Sequence, residues 1–154
     1  MYITARADYA IRAMVELAVL PVNERRSVAA VGTSANIPVK FLEAIFGELV
    51  KANLVSSKRG AGGGYSLACG PKEISIADIV RAVDGPLAAV GGRAPEETVY
   101  AGPSAALTSV WVALRAAMRD VLESTSLHDV VTGSFSPDVQ RWLAADGAWE
   151  RRVR

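Results

Sequence analysis

The sequence predicts a mainly α-helical protein that contains one small β-hairpin. Over most of its 154 residues, apolar side chains recur at the three- and four-residue spacing of amphipathic helices. Residues 54–67 differ, because two short apolar runs there flank a basic tip rich in glycine. Half of the residues are hydrophobic, which is enough to form a buried core. The length fits one domain, or one domain with an appendage.

Two helices are predicted before the first candidate site. The first covers residues 4–20, and Thr4 can cap its N-terminus. The second is a short helix over residues 28–35, which Ser27 can cap. Gly32 lies inside the second helix and is expected to weaken it by about 1 kcal/mol relative to alanine.

A third helix is predicted to follow after a tight turn. Asn36 tolerates the left-handed backbone of such a turn, and Pro38 suits the first position of a helix that continues to Ala52. Two helices joined in this way form a helix-turn-helix, in which exposed residues early in the second helix contact base edges. Lysine can donate to guanine or phosphate, and glutamate can accept from cytosine. The candidate contacts on this helix are Val39, Lys40, Glu43 and Ala44.

The hairpin over residues 54–67 places two cations at its tip. Arginine is suited to a narrow, electronegative minor groove. The candidate contacts here are Ser57, Lys58, Arg59 and Gly60. Taken alone, the helix pair could be an ordinary αα-hairpin and the strands an ordinary surface hairpin. Their direct succession predicts a winged helix-turn-helix, with one helix in the major groove and a wing on the backbone or minor groove.

The rest of the chain is predicted to form a fourth helix, a connector, a long helix that pairs two subunits, and a short C-terminal part. Ser75 and Asp78 form a capping-box pattern for a fourth helix that ends at residue 84. Ser104 can cap a long helix that runs to about residue 124. The predicted organisation is a winged helix-turn-helix DNA-binding domain (1–86), a poorly ordered connector (87–103), a dimerisation helix (104–126), and short C-terminal helices with a loose tail (127–154).

The long helix is the fifth predicted helix (α5, residues 104–124), and it carries a heptad-like row of apolar side chains, which we call the α5 row. Other apolar residues surround the row, so that most of the circumference of this helix is apolar and needs cover on several sides. A partner subunit is the expected cover; packing against the first helix of the same chain is the alternative, and both can hold. The α5 row consists of Leu107, Trp111, Leu114, Met118 and Val121.

Composition narrows the function classes. The net charge is only +1, so any DNA-binding charge must be local. The single cysteine, Cys69, excludes an internal disulfide and a cysteine-based zinc site within one chain. The sequence shows neither a signal peptide nor a long apolar run, so a cytoplasmic protein without membrane contact is expected. It also shows no catalytic arrangement, and the glycine run does not open a helix as a phosphate loop would, so an enzyme is not expected.

Four stretches resemble the family of bacterial winged-helix regulators that includes IscR, NsrR and CymR. They are YAIRAMVELA (9–18), IPVKFLEAIFGELVKANLV (37–55), SSKRGAGGGYSLA (56–68) and ISIADIVRAVDG (74–85). The resemblance spans residues 1–126. It implies a homodimer that binds a palindromic operator in double-stranded DNA and represses or activates transcription. It further implies that Lys40, Phe41, Glu43 and Arg59 meet DNA.

The same resemblance bears on sensing. Members that hold an iron–sulfur cluster carry three cysteines in the connector, and residues 86–105 contain none. No metal site and no cofactor are therefore expected. The alternative is a non-standard cluster that uses Cys69 or the lone histidine, His128. A structural role is favoured for Cys69, because no second cysteine or basic neighbour indicates a lowered thiol pKa. A structural or solvent role is favoured for His128.

The predicted function is that of a dimeric, sequence-specific DNA-binding transcriptional regulator, with repression expected and no effector identified. The alternative is a protein-interaction module, or a redox- or ligand-sensing module, that keeps the winged helix with weak or no DNA binding. The low net charge motivates this alternative.

Overall fold

The computed structural model describes residues 2–151, so Met1 and the last three residues of the predicted tail lie outside the described part. The predicted fold class is confirmed: the described chain is mostly helical and contains one antiparallel hairpin. Its elements are α1 (Ala5–Ala18), α2 (Val28–Ala35), α3 (Val39–Lys51), β1 (Val55–Lys58), β2 (Gly64–Leu67), α4 (Ile76–Asp84), α5 (Leu107–Glu123), α6 (Leu127–Thr132) and α7 (Pro137–Leu143).

Three predicted helix caps are confirmed. The hydroxyls of Thr4, Ser27 and Ser75 each accept a hydrogen bond from the backbone N–H three residues further on, at 3.0, 3.2 and 3.1 Å. These bonds satisfy backbone donors that have no partner within the helix. Pro38 is the N-cap residue of α3 rather than its first helical residue.

The predicted cap of the long helix is wrong. Ser104 ends a short 3₁₀ turn that begins at Gly102, and α5 starts only at Leu107. Gly102 has a positive φ of 60° and precedes Pro103, so the chain makes a tight turn where the sequence predicted a helix start. Ala106 occupies the N-cap position and offers no side-chain acceptor.

One hydrophobic core joins the N-terminal and C-terminal parts of the chain. Helix α1 packs against α2, α3, α4 and α6. Met14, Phe46, Ile79 and Leu127 are among the fully buried side chains. Leu127 follows the long helix, yet its N–H donates to the carbonyl oxygen of residue 74 at 3.0 Å. The chain after α5 therefore returns to the core of the N-terminal part.

The connector is folded, so the expectation of poor order is wrong. Leu87 and Pro95 are buried. Val90 and Arg93 close a turn through two backbone hydrogen bonds of 2.9 and 3.1 Å. The indole N–H of Trp111 on α5 donates to the Tyr100 hydroxyl at 3.1 Å. Apolar burial and these hydrogen bonds hold the connector against α5 despite its glycines and prolines.

Gly32 allows the close packing of α2 against the start of α3. A Cβ atom at this position would lie 2.9 Å from the carbonyl oxygen of Ile37 and 3.2 Å from Cγ2 of Val39. The turn between the helices is tight because Asn36 adopts the left-handed conformation, with φ of 53°. A glycine interpreted from sequence only as weakening a helix is thus required by the helix-turn-helix.

We predict opposite effects of the same substitution at two helical glycines. Gly32→Ala should lower the free energy of unfolding by about 1–3 kcal/mol, because the added methyl group meets backbone that cannot easily move. Gly47→Ala should raise it by about 0.5–1 kcal/mol, because nothing lies within 4 Å and alanine favours the helix. Urea denaturation measures both. A Gly32→Ala protein as stable as the unmodified chain would contradict this packing.

Candidate nucleic-acid interface

Helix α3 separates a buried face from an exposed one. Leu42, Ile45, Phe46 and Leu49 are at most 1% exposed, at the spacing of a helix that packs on a core. The exposed residues of interest lie in the first two turns of α3, next to the turn that follows α2. All five predicted contacts on this helix are exposed: Val39, Lys40, Phe41, Glu43 and Ala44.

Phe41 lies between Lys40 and helix α1. Its side chain is 47% exposed, and its ring centroid is 6.1 Å from that of Tyr9. The Nζ atom of Lys40 is 5.1 Å from the Phe41 ring centroid, a distance at which a cation is attracted to an aromatic face. The phenyl ring therefore contacts both helix α1 and the lysine that we expect to approach DNA.

The wing has a short, glycine-built tip. Lys58 of β1 lies opposite Gly64 of β2, so residues 59–63 form the tip. A Cβ atom at Gly63 would lie 2.4 Å from the carbonyl oxygen of Lys58, and only glycine fits there. The candidate wing contacts Ser57, Lys58, Arg59 and Gly60 are all exposed.

The wing and α3 are joined by a stacked aromatic pair. The rings of Phe46 on α3 and Tyr65 on β2 have centroids 4.3 Å apart and an interplanar angle of 7°. Tyr65 also exchanges two backbone hydrogen bonds with Arg26, each 2.9 Å long, on the side of β2 away from β1. These contacts fix the wing relative to the predicted recognition helix.

Two arginines before α2 support the base of the wing. Arg25 donates to the carbonyl oxygens of Ser56 and Gly64, at 3.1 and 3.4 Å, and to the Ser56 hydroxyl at 3.3 Å. Arg26 pairs with Glu16 of α1 at 2.5 Å. Nothing in the sequence indicates these roles, because hydrophobic periodicity does not show which surface charges meet across elements.

The cations that we expect at DNA differ from those that hold the helices together. Arg6, Arg12 and Arg26 pair with carboxylates on α1 or α3. Within residues 2–151, no carboxylate lies within 4.0 Å of the charged groups of Lys40 or Arg59. Their charges are therefore not neutralised by carboxylates of the described residues, and they are the local positive charge that we expect DNA binding to use.

The α5 row is only partly covered by its own chain. In the described part of the chain, no residue of α5 is fully buried, and Val110 is 53% exposed. Trp111 and Leu114 face the connector, where they line a cavity of about 430 Å³. Met118 and Val121 line an apolar groove of about 390 Å³ that also includes Ala117 and Trp142; we call it the α5 groove. All five members of the α5 row, from Leu107 to Val121, are half-buried.

Taken together, the fold and these surfaces define a winged-helix DNA-binding protein. Residues 3–133 match the Rrf2 family, described as iron-dependent transcriptional regulators, and the chain belongs to that family. It is a transcriptional regulator with a DNA-binding helix-turn-helix fold. The family and the named relatives are transcriptional regulators and not enzymes, as the sequence predicted.

Relatives of this chain are similar over most of their length. It is 45% identical over 146 residues to the helix-turn-helix-type regulator Rv1287 of Mycobacterium tuberculosis, covering 95% of this chain and 90% of the relative. It is 33% identical over 132 residues to CymR of Bacillus subtilis, covering 86% and 91%.

Two solved structures confirm the similarity of fold. The structure of B. subtilis CymR, described as a global cysteine regulator, superposes with a TM-score of 0.73 at 30% identity, covering 87% of this chain and 98% of CymR. The structure of IscR from T. potens superposes with a TM-score of 0.69 at 26% identity, covering 98% and 97%.

The residues present do not fit the iron that the family description implies. Across residues 2–151, no group of three or more histidine, cysteine, aspartate or glutamate side chains is placed to hold a metal. The only thiol is that of Cys69, which is exposed after β2, and the only imidazole belongs to His128 on α6.

No helix in the described range is both long and apolar enough to span a bilayer.

Cys69 also lacks the surroundings of a reactive thiol. Partial desolvation, and then the carboxylates of Glu73 and Asp78, raise the pKa of the Cys69 thiol above its ordinary value. A raised pKa leaves less thiolate at neutral pH, and thiolate is the form that reacts and binds metals. The local electrostatics thus agree with the structural role favoured from the sequence.

We predict that Cys69 is alkylated slowly near neutral pH. At pH 7.5, iodoacetamide should alkylate Cys69 more slowly than it alkylates the thiol of free glutathione, because the raised pKa reduces the thiolate fraction of Cys69. Glu73→Gln should increase the rate by removing one of the negative charges. Mass spectrometry over time measures the modified fraction. Alkylation faster than that of glutathione would contradict the prediction.

Proposed function

We propose that this regulator acts as a homodimer that binds a palindromic operator and represses transcription from it. The observation that carries the proposal is the rigid attachment of a basic wing to α3, through the stacked rings of Phe46 and Tyr65. In this proposal residues 1–86 bind DNA, residues 104–126 pair the subunits, and the protein works in the cytoplasm, where bacterial DNA is found.

In the proposed complex, α3 lies in the major groove and the wing lies on the adjoining backbone or minor groove. Lys40 donates to guanine or phosphate, and Glu43 accepts from the amino group of cytosine. Val39, Ala44 and Phe41 supply apolar contacts to base edges or to the sugar backbone. Arg59 enters the minor groove, while Ser57, Lys58 and the backbone N–H of Gly60 bind phosphate oxygens.

The argument for a dimer is the uncovered apolar surface of α5. A 17-residue helix without a single fully buried side chain is unusual for an element of a stable domain. The exposed side of α5 carries Val110 and Ala117, next to the α5 groove. A second copy paired through this surface would present two α3 helices related by a two-fold axis, and such a pair matches an inverted repeat in DNA.

We predict that two cations dominate operator binding. Lys40→Ala and Arg59→Ala should each weaken binding to the DNA upstream of the protein's own coding sequence by about tenfold or more. Each should also reduce the slope of log affinity against log salt by about two, because a dimer loses two cations that displace counterions from the DNA. Fluorescence anisotropy titrations at several salt concentrations measure both effects.

Arg141→Ala is the matched control for these variants. It removes the same charge from an exposed position on α7, far along the chain from α3 and the wing. Its affinity and salt slope should equal those of the unmodified protein. Equal losses of operator affinity in Lys40→Ala, Arg59→Ala and Arg141→Ala would show a general effect of net charge and would contradict the proposed contacts. An unmodified protein without sequence-selective binding at low salt would favour the protein-interaction alternative.

We predict that one substitution on α5 separates the dimer. Ala117→Glu places a carboxylate in the α5 groove, and burying an unpaired charge in an interface costs several kcal/mol. Ala116→Glu is the control, because Ala116 is also exposed but points about 100° away around the helix. Light scattering after gel filtration should give one chain for Ala117→Glu and two for Ala116→Glu. Two chains for both variants would contradict the proposed interface.

A further inference from the structure

A cationic cavity lies where α4, the connector and α5 meet. Its volume is about 440 Å³, within the range of small-molecule binding sites. Four arginines from all three segments line it: Arg81 from α4, Arg93 from the connector, and Arg115 and Arg119 from α5. Among the described residues of its lining there is no aspartate or glutamate.

Carboxylates at the edge of the cavity occupy only part of these donors. Glu123 pairs with Arg81 and lies 4.0 Å from Nε of Arg119. Glu96 binds Arg115 at 2.5 Å, and the side chain of Arg115 is only 15% exposed. Asp78 on α4 also lies 3.7 Å from Arg81. Each guanidinium group has five N–H donors, so one or two carboxylates leave donors unused.

Arg93 is held at the cavity by backbone rather than by an acidic partner. Its N–H and carbonyl oxygen both bond to Val90, which closes the turn that carries it. Within residues 2–151, no carboxylate lies within 4.0 Å of its guanidinium group. An unpaired arginine in a concave site attracts anions, because low-dielectric walls concentrate its field.

The wall between these arginines is apolar. Leu87, Ala88 and Ala89 form part of the lining, and Leu87 belongs to the hydrophobic core. A ligand that fits such a site needs negatively charged oxygens for the guanidinium groups and a short carbon body for the alanine and leucine side chains. Planar guanidinium groups suit carboxylate and phosphate equally well, since both accept two parallel N–H bonds.

We propose that this cavity binds a small organic oxyanion, a compound with two or more negative charges on carboxylate or phosphate groups and a short carbon body. This site goes beyond the proposed DNA-binding function, and its occupancy can be measured without DNA. Each subunit holds a complete copy of the site, because all four arginines come from one chain.

Calorimetric titration of the full chain at constant ionic strength tests the proposal. The probes are citrate, glycerol 3-phosphate and uncharged glycerol. We expect one saturable site per chain for citrate, for glycerol 3-phosphate or for both, and none for glycerol. Binding of citrate alone identifies a carboxylate ligand, and binding of glycerol 3-phosphate alone identifies a phosphate ligand. Constant ionic strength separates specific binding from screening.

Variants of the exposed arginines localise the site. Arg93→Ala and Arg119→Ala should each raise the dissociation constant at least about tenfold, as expected for the loss of charged hydrogen bonds. Arg141→Ala, on α7, should leave it unchanged. Circular dichroism confirms that each variant is folded. The proposal is overturned if neither anion binds saturably, or if Arg93→Ala and Arg119→Ala both bind as tightly as the unmodified protein. Anion binding is measured without DNA, so a loss of operator binding in Lys40→Ala or Arg59→Ala does not change the outcome of this test.

Discussion

The stack of Phe46 on Tyr65 is the contact on which the DNA-binding surface depends. A two-stranded hairpin is only marginally stable alone, so the wing needs an anchor. Phe46 is fully buried in the core, and the ring of Tyr65 lies 4.3 Å above it. Arg25 and Arg26 add hydrogen bonds at the base of the wing. The distance between α3 and the arginine at the tip is thereby set by the core, and not by a flexible loop.

The same core couples this surface to the rest of the chain. Helix α4 packs against α1, α3 and α5. The cationic cavity lies at the junction of α4 and α5, and Leu127 closes the core from the C-terminal side. Helix α4 is therefore the physical link between the predicted recognition helix and the helix proposed to pair two subunits.

Local sequence signals predicted the helices, the hairpin and most caps, because each depends on residues within a few positions. The spacing of Leu42, Phe46 and Leu49 suffices to orient α3, and Ser75 with Asp78 suffices to start α4. What the sequence did not predict depends on contacts between distant segments. The need for Gly32 is an exception in range, since it arises from the carbonyl oxygen of Ile37 across one turn, but it too follows from a close contact that sequence spacing does not show. The supports of the wing, the folded connector and the four-arginine cavity bring together residues that share no local pattern.

Hydroxyl-radical footprinting on the upstream DNA tests the central claim most directly. A dimer with rigidly joined helix and wing should protect two equivalent patches, centred one helical turn of DNA or a multiple of it apart. Each patch should extend into the flanking minor groove where the wing lies. A single protected patch, or two patches without minor-groove protection, would contradict the account that α3 and the wing act together in each of two subunits.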